Sequence, residues 1–164
     1  MKARRLILAL VFVLSGCSKD PYTASMQASL SVSDSVAQAL PIIQQLQTSN
    51  LLTPAEAKQV YGYLQSVTVG NQAFRSSAKS LHAAGNKTAA SYISAADTFV
   101  KAVNSQAALA AIHISNPQSQ AKVMLYLQAI DTVLNGIQTV ISSGQTTPAP
   151  APTITGELLW IPIQ

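Results

Sequence analysis

The sequence is short of the residue types on which most catalytic and metal sites depend. One cysteine and two histidines occur among 164 residues, and charged residues make up only 10 % of the chain. A single cysteine excludes an intrachain disulfide framework and a thiolate metal cluster. The six carboxylates stand singly, without the Glu-x-x-His pairs of a di-iron bundle. We therefore predict no catalytic residues, no metal and no cofactor.

Long apolar runs are also missing, except at the N-terminus. Lys2, Arg4 and Arg5 precede an unbroken apolar run over residues 6–14. In a helix, nine residues cover about 14 Å, roughly half of a bilayer core, so this run is too short to remain as a membrane span. A basic start followed by a short apolar run is typical of a cleaved signal peptide, which we assign to residues 1–16.

The signal peptide accounts for most of the apparent basicity of the chain. It contains three of the ten basic residues, which leaves seven basic against six acidic residues after its removal. Phosphate binding needs several clustered cations, whereas these are scattered and accompany no nucleic-acid motif. Although the whole sequence has a pI near 9.4, we predict no nucleic-acid partner.

The single cysteine stands where the signal peptide ends. Leu14-Ser15-Gly16-Cys17 resembles the lipobox of bacterial lipoproteins. The resemblance implies cleavage before Cys17 and a diacylglycerol on its sulfur, and two or three acyl chains anchor a protein durably because each buried methylene contributes about 0.8 kcal/mol. Ser18, rather than aspartate, follows the cysteine, which by analogy with enterobacterial sorting favours the outer membrane, facing the periplasm. The alternative is an ordinary secretory signal beside a free cysteine.

Four amphipathic helices are predicted after a polar, lipidated tether over residues 17–25. The first runs from Met26 to about residue 46, and the others cover about 54–84, 88–112 and 117–142. The first is expected to bury Met26, Leu30, Ala37, Leu40 and either Ile43 or Leu46, and to be kinked or split at Pro41. Start and stop signals set the other boundaries: the capping box Thr53-Pro54-Ala55-Glu56, the stop Gly85-Asn86 and the start Asn116-Pro117.

An internal repeat relates the two halves of this region. A shift of 63 residues places Thr53-Pro54 on Asn116-Pro117, and Tyr63-Leu64-Gln65 on Tyr126-Leu127-Gln128. The same shift places Asp34 on Asp97, either as an acid pair across a twofold axis or as two solvent-facing residues. We predict an all-α, up-down four-helix bundle over residues 26–143, built from a duplicated αα-hairpin. Chance similarity between helices of like composition is the alternative.

A change of composition follows the bundle. Residues 144–153 form a Pro-rich linker, and residues 154–164 form an apolar C-terminal segment that contains Leu158, Leu159, Trp160 and Ile161. This segment is expected either to dock on an envelope protein partner or to fold back on its own bundle. The whole pattern predicts a membrane-anchored envelope lipoprotein with a non-enzymatic binding or structural role. The alternative is a carrier that holds a small apolar ligand between helices near Gly62 and Gly70; an enzyme would need carboxylates or histidines clustered in the core.

Overall fold

The computed structural model describes residues 20–143, and the regular structure in this part of the chain is helical throughout. Five segments follow one another: α1 (Pro21–Thr48), α2 (Pro54–Ala83), α3 (Ala89–Val103), α4 (Ser105–Ala111) and α5 (Pro117–Ser143). The signal peptide, Cys17, the Pro-rich linker and the apolar C-terminal segment lie outside the described residues.

The helices form a ring of four columns. α1 packs against α2 and α5, and α3 packs against the same two helices from the opposite side, while α4 continues the column of α3 and also contacts α5. Short loops over residues 49–53, 84–88 and 112–116 join consecutive neighbours, which therefore run antiparallel. The prediction of an all-α helical bundle is confirmed. Because α1 and α5 are antiparallel, the start of α1 and the end of α5 lie at one end of the bundle, called the anchor end below.

The predicted caps form as expected in the second half of each hairpin. The Thr53 side chain accepts from the backbone N–H of Glu56 at 3.2 Å while Glu56 accepts from the backbone N–H of Thr53 at 2.8 Å, which completes the capping box. Asn116 Oδ1 accepts from the two backbone N–H groups that follow Pro117, each at 3.0 Å. At the end of α2, Gly85 has φ +73°. Only glycine adopts this left-handed conformation at little cost.

The predicted start of α1 is wrong by five residues. The helix begins at Pro21, and Ala24 and Ser25, assigned above to the tether, are buried in the bundle. Asp20 caps it by accepting from the backbone N–H of Thr23 at 3.0 Å. The sequence held this signal, because Asp20-Pro21 repeats the pattern of a cap followed by proline that starts α2 and α5.

Helix continuity differs from the prediction at two positions, since a predicted split is absent at Pro41 and an unpredicted break is present at Asn104. Pro41 does not split α1, which is one helix through this position. Pro41 lies on the exposed side of α1, so the carbonyl that it leaves without an intrahelical donor, that of Ala37, stays near water. The third helix, in contrast, is interrupted at Asn104, whose φ of 45° and ψ of 52° are left-handed. Asparagine tolerates this conformation better than most residues, which permits the change from α3 to α4.

The buried face of α1 is made of small side chains, and this corrects the predicted one. Leu30 is 50 % exposed and Leu40 is 41 % exposed, Ala37 is exposed and Met26 is half-buried. Ile43 and Leu46 are buried as predicted, but otherwise the helix buries small residues: Ala24, Ser25, Ala28, Ser29, Val32, Ser35, Val36 and Ala39. Small side chains let neighbouring helices approach closely. Helix α1 therefore has a small inner face and a separate outer row, Met26, Leu30, Ala37 and Leu40, called the α1 outer stripe below.

Helices α2 and α3 approach each other closely at Gly70. A Cβ atom built on Gly70 would lie 2.7 Å from Cδ2 of Phe99 and 3.2 Å from Cγ2 of Val103, whereas one built on Gly62 would meet nothing within 4 Å. The ring of Phe99 stacks on that of Phe74 with centroids 5.8 Å apart. At Gly70, the ring of Phe99 therefore occupies the space that was expected to hold an apolar ligand. Gly62 faces open space.

Candidate functional site

The residues predicted to carry function, Cys17 and Leu158, Leu159, Trp160 and Ile161, fall outside residues 20–143. The described part nevertheless places the points from which both segments leave. Asp20 follows Cys17 by three residues, a span of about 10 Å in extended chain. Ser143, the last described residue, ends α5 at the same anchor end. Both segments therefore leave the bundle from one end.

Aromatic and polar contacts tie the helices together at the anchor end. The ring of Tyr22 on α1 stacks on His82 in the last turn of α2, with centroids 4.0 Å apart and planes 17° apart. The hydroxyl of Tyr92 on α3 donates to the backbone carbonyl of Asn86 at 2.9 Å. Asp20 accepts from the hydroxyl of Thr23 at 2.7 Å, and this bond is the main reason that the pKa of Asp20 lies below its usual value. The start of α1 is thereby fixed to the end of α2.

Reciprocal hydrogen bonds join the two loops at the opposite end of the bundle. Glu56 Oε1 accepts from the backbone N–H of Ser115 at 2.6 Å, and the hydroxyl of Ser119 donates to the backbone carbonyl of Leu51 at 2.6 Å. The bond from the Ser115 N–H, and then the bonds from Thr53, lower the pKa of Glu56 to about 2. Glu56 and Ser119 occupy equivalent positions under the shift of 63 residues, and each bonds to the loop of the other hairpin.

A polar cluster is buried between α1 and α2. Asn71 Nδ2 donates to the backbone carbonyl of Ser29 at 2.9 Å and to the hydroxyl of Ser33 at 3.0 Å. Asn71 Oδ1 and Ser29 Oγ are buried without a hydrogen-bond partner among the residues that the structure describes. The amide of Asn71 fixes the register of α2 on α1, because its two bonds need both serine positions at once.

A second polar cluster lies in the core between α2 and α5. Asp131 is only 7 % exposed and Asp131 Oδ2 accepts from Asn135 Nδ2 at 3.0 Å. Tyr63, 4 % exposed, has its hydroxyl in the same interior. Burial first, and then the charge of Asp131, raise the pKa of Tyr63 well above its usual value. The phenol therefore keeps its proton at every physiological pH.

An open groove of about 570 Å³ runs between α2 and α3. Its lining combines apolar and hydroxyl side chains and contains no titratable side chain. It is lined by Leu81, Ala84 and Ala95, and by Ser76, Ser77, Ser80, Ser91, Ser94 and Thr98. The groove offers hydrogen-bonding hydroxyls to a ligand, but no general acid or base.

In the described part of the chain, neither the two aspartates related by the shift nor the two histidines form a joint site. Asp34 is exposed on α1, while Asp97 pairs with Lys101 at 2.5 Å and accepts from Gln138 at 3.2 Å, so the structure does not join the two aspartates as an acid pair. His113 lies at the other end of the bundle from His82, and its backbone N–H donates to Gln59 at 3.1 Å. Within residues 20–143, no three histidine, cysteine, aspartate or glutamate side chains lie close enough together to bind a metal ion.

No helix within the described range combines the length and the hydrophobicity that crossing a bilayer requires. No family model, no curated protein and no solved structure matches this chain. The arguments about function below therefore depend on the sequence and on the described side chains.

Proposed function

We propose that the chain is an envelope lipoprotein, anchored through acyl chains on Cys17 and acting by binding rather than by catalysis. The observation that carries the proposal is the position of the single cysteine, directly after a basic start, an apolar run and the pair Ser15-Gly16. A helix that begins at Pro21 agrees with this assignment, because the folded domain then starts within a few residues of the anchor.

The non-enzymatic role is supported by how the described carboxylates and histidines are used. Glu56 closes the loop end of the bundle, Asp20 caps α1, Asp97 pairs with a lysine and His82 stacks on a tyrosine. Each of these contacts stabilises the fold. A binding role draws instead on surfaces, and we propose that the bundle and the apolar C-terminal segment contact an envelope protein.

The anchor is tested by replacing Cys17 with alanine and expressing the full precursor in a Gram-negative host. We expect Cys17→Ala to abolish labelling by radioactive palmitate and to move the protein from the membrane fraction to the soluble fraction, since the acyl chains supply the membrane affinity. Ser18→Ala is the matched control, because it changes the neighbouring residue and leaves the acceptor sulfur. It should retain both the label and the membrane location.

Retention of Cys17→Ala on membranes would contradict the lipoprotein proposal. Density-gradient separation of the membranes tests the finer assignment to the outer membrane. The native chain is expected in the outer-membrane fraction, and Ser18→Asp is expected to move towards the inner membrane if the sorting analogy holds.

A further inference from the structure

We propose that the apolar C-terminal segment, residues 154–164, docks on the α1 outer stripe of its own chain. The proposal combines two independent observations, an uncovered apolar row on α1 and an apolar segment attached at the end of α5. It does not depend on acylation of Cys17.

The α1 outer stripe is the one described helix face with two exposed large hydrophobic side chains. Leu30 and Leu40 are 50 % and 41 % exposed, and Met26 and Ala37 lie on the same row. Ser33, which bonds to Asn71, lies between Leu30 and Ala37 on this row. The other exposed large hydrophobic residues of the described part stand singly on other helices, Val69 on α2 and Leu125 on α5. Exposed apolar rows of this kind are surfaces on which apolar partner segments dock.

The chain beyond Ser143 starts at the right end of the bundle and is long enough. Leu30 and Leu40 lie nine and nineteen residues from the start of α1, which is about 14 Å and 29 Å along the helix axis. The ten residues of the linker reach about 31 Å in polyproline II conformation. Residues 154–164 can therefore lie along the stripe from the anchor end towards Leu40.

Charge complementarity fixes the direction of the segment. Glu157 is the one charged residue among residues 154–164. On α2, Arg75 is half-buried and follows Asn71 by one turn; because Asn71 bonds to Ser29, the antiparallel packing puts Arg75 beside the first turns of α1. A segment that enters from the anchor end brings Glu157 to Arg75, and the next four residues, Leu158, Leu159, Trp160 and Ile161, then follow the stripe.

The single tryptophan of the chain, Trp160, reports on this docking directly. The experiment uses the full mature chain with Cys17→Ala, which removes the acyl chains and leaves the described bundle unchanged. We expect tryptophan emission that is blue-shifted from the value in denaturant and is protected from acrylamide quenching. The double variant Leu30→Glu/Leu40→Glu should shift the emission to the value of the denatured chain.

The matched control is Val69→Glu/Leu125→Glu, which introduces the same charges at two exposed apolar residues away from the stripe. It should leave the emission blue-shifted, and far-UV circular dichroism should show both variants to be helical. Arg75→Glu should also raise the acrylamide quenching of Trp160. The double variant Arg75→Glu/Glu157→Arg, which exchanges the two charges, should return the quenching to the value of the unsubstituted pair.

Three results would overturn the proposal. One is emission in the native chain that equals that of the denatured chain. Another is emission that both double variants leave unchanged, which would place Trp160 elsewhere. The third is blue-shifted emission that is lost on dilution, because docking on a second copy depends on concentration whereas docking within one chain does not.

Discussion

Replacing Gly70 with alanine should destabilise the bundle or leave it no more stable, whereas the same change at Gly62 should stabilise it. Both glycines lie inside α2, where alanine is favoured over glycine by about 1 kcal/mol. At Gly62 the new methyl group meets no atom within 4 Å, so this gain should appear in full. At Gly70 the methyl would lie 2.7 Å and 2.8 Å from two carbons of the Phe99 ring.

The ring of Phe99 cannot turn away at low cost. It is 3 % exposed and stacks on Phe74, so moving it disturbs the centre of the core. Overpacking of this kind typically costs about 1–3 kcal/mol. The net effect of Gly70→Ala is therefore between no change and a loss of about 2 kcal/mol, because the helix-propensity gain offsets part of the cost.

Thermal and urea unfolding followed by far-UV circular dichroism measure this difference. For a domain of this size about 1 kcal/mol corresponds to roughly 3–4 °C in Tm. We expect Gly62→Ala to raise Tm by about that amount and Gly70→Ala to lower it by up to twice as much. Equal stabilisation by both substitutions would refute the close approach of α2 and α3. In a Phe99→Leu background the cost of Gly70→Ala should shrink, which a double-mutant cycle detects as coupling.

Two further predictions concern the loop end and the break between α3 and α4. The pKa of Glu56 is lowered to about 2 from an ordinary 4.5, so the stabilising effect of its carboxylate is present above about pH 4.5 and is lost as the pH falls towards 2. Glu56→Gln should therefore reduce the decrease in Tm between pH 5 and pH 2, whereas Asp34→Asn, at an exposed position, should not. A decrease in Tm that Glu56→Gln leaves unchanged would contradict the role of the carboxylate. Asn104→Ala should lower the free energy of unfolding by about 1–2 kcal/mol, since alanine adopts the left-handed conformation poorly, while Asn104→Gly should be close to neutral. If urea unfolding shows equal losses of free energy for the two variants, the asparagine side chain matters at this position and the backbone conformation does not.

Local signals in the sequence predicted helix boundaries well wherever a cap and a proline stand together. The starts at Pro54 and Pro117 and the stop at Gly85 follow from hydrogen bonds among residues close in sequence. The same pattern at Asp20-Pro21 is harder to recognise, because a proline in a short polar stretch is also typical of a linker. The left-handed Asn104 carries no comparable signal, since asparagine occurs at many helical and non-helical positions.

The size of the side chains on α1 does not predict which face of this helix is buried. Helical periodicity identifies apolar rows, and α1 has two of them, one of alanine and serine and one that includes Leu30 and Leu40. Which row turns inward depends on how closely α2 and α5 approach, a property of the assembled bundle. The exposed row is a candidate site because the small residues lie inside. Cys17 and Trp160, in contrast, stand out by local pattern and composition alone.

The shared anchor end also determines how the domain responds to mechanical force. A pull between residues 20 and 143 acts on the adjacent ends of α1 and α5, two antiparallel helices that pack along their lengths. The load therefore falls on one pair of helical turns at a time and peels the helices apart, instead of being shared by the whole interface as in shear. A tether at one terminus and a bound partner at the other would make this bundle a weak mechanical link, one that opens at its α1–α5 seam first.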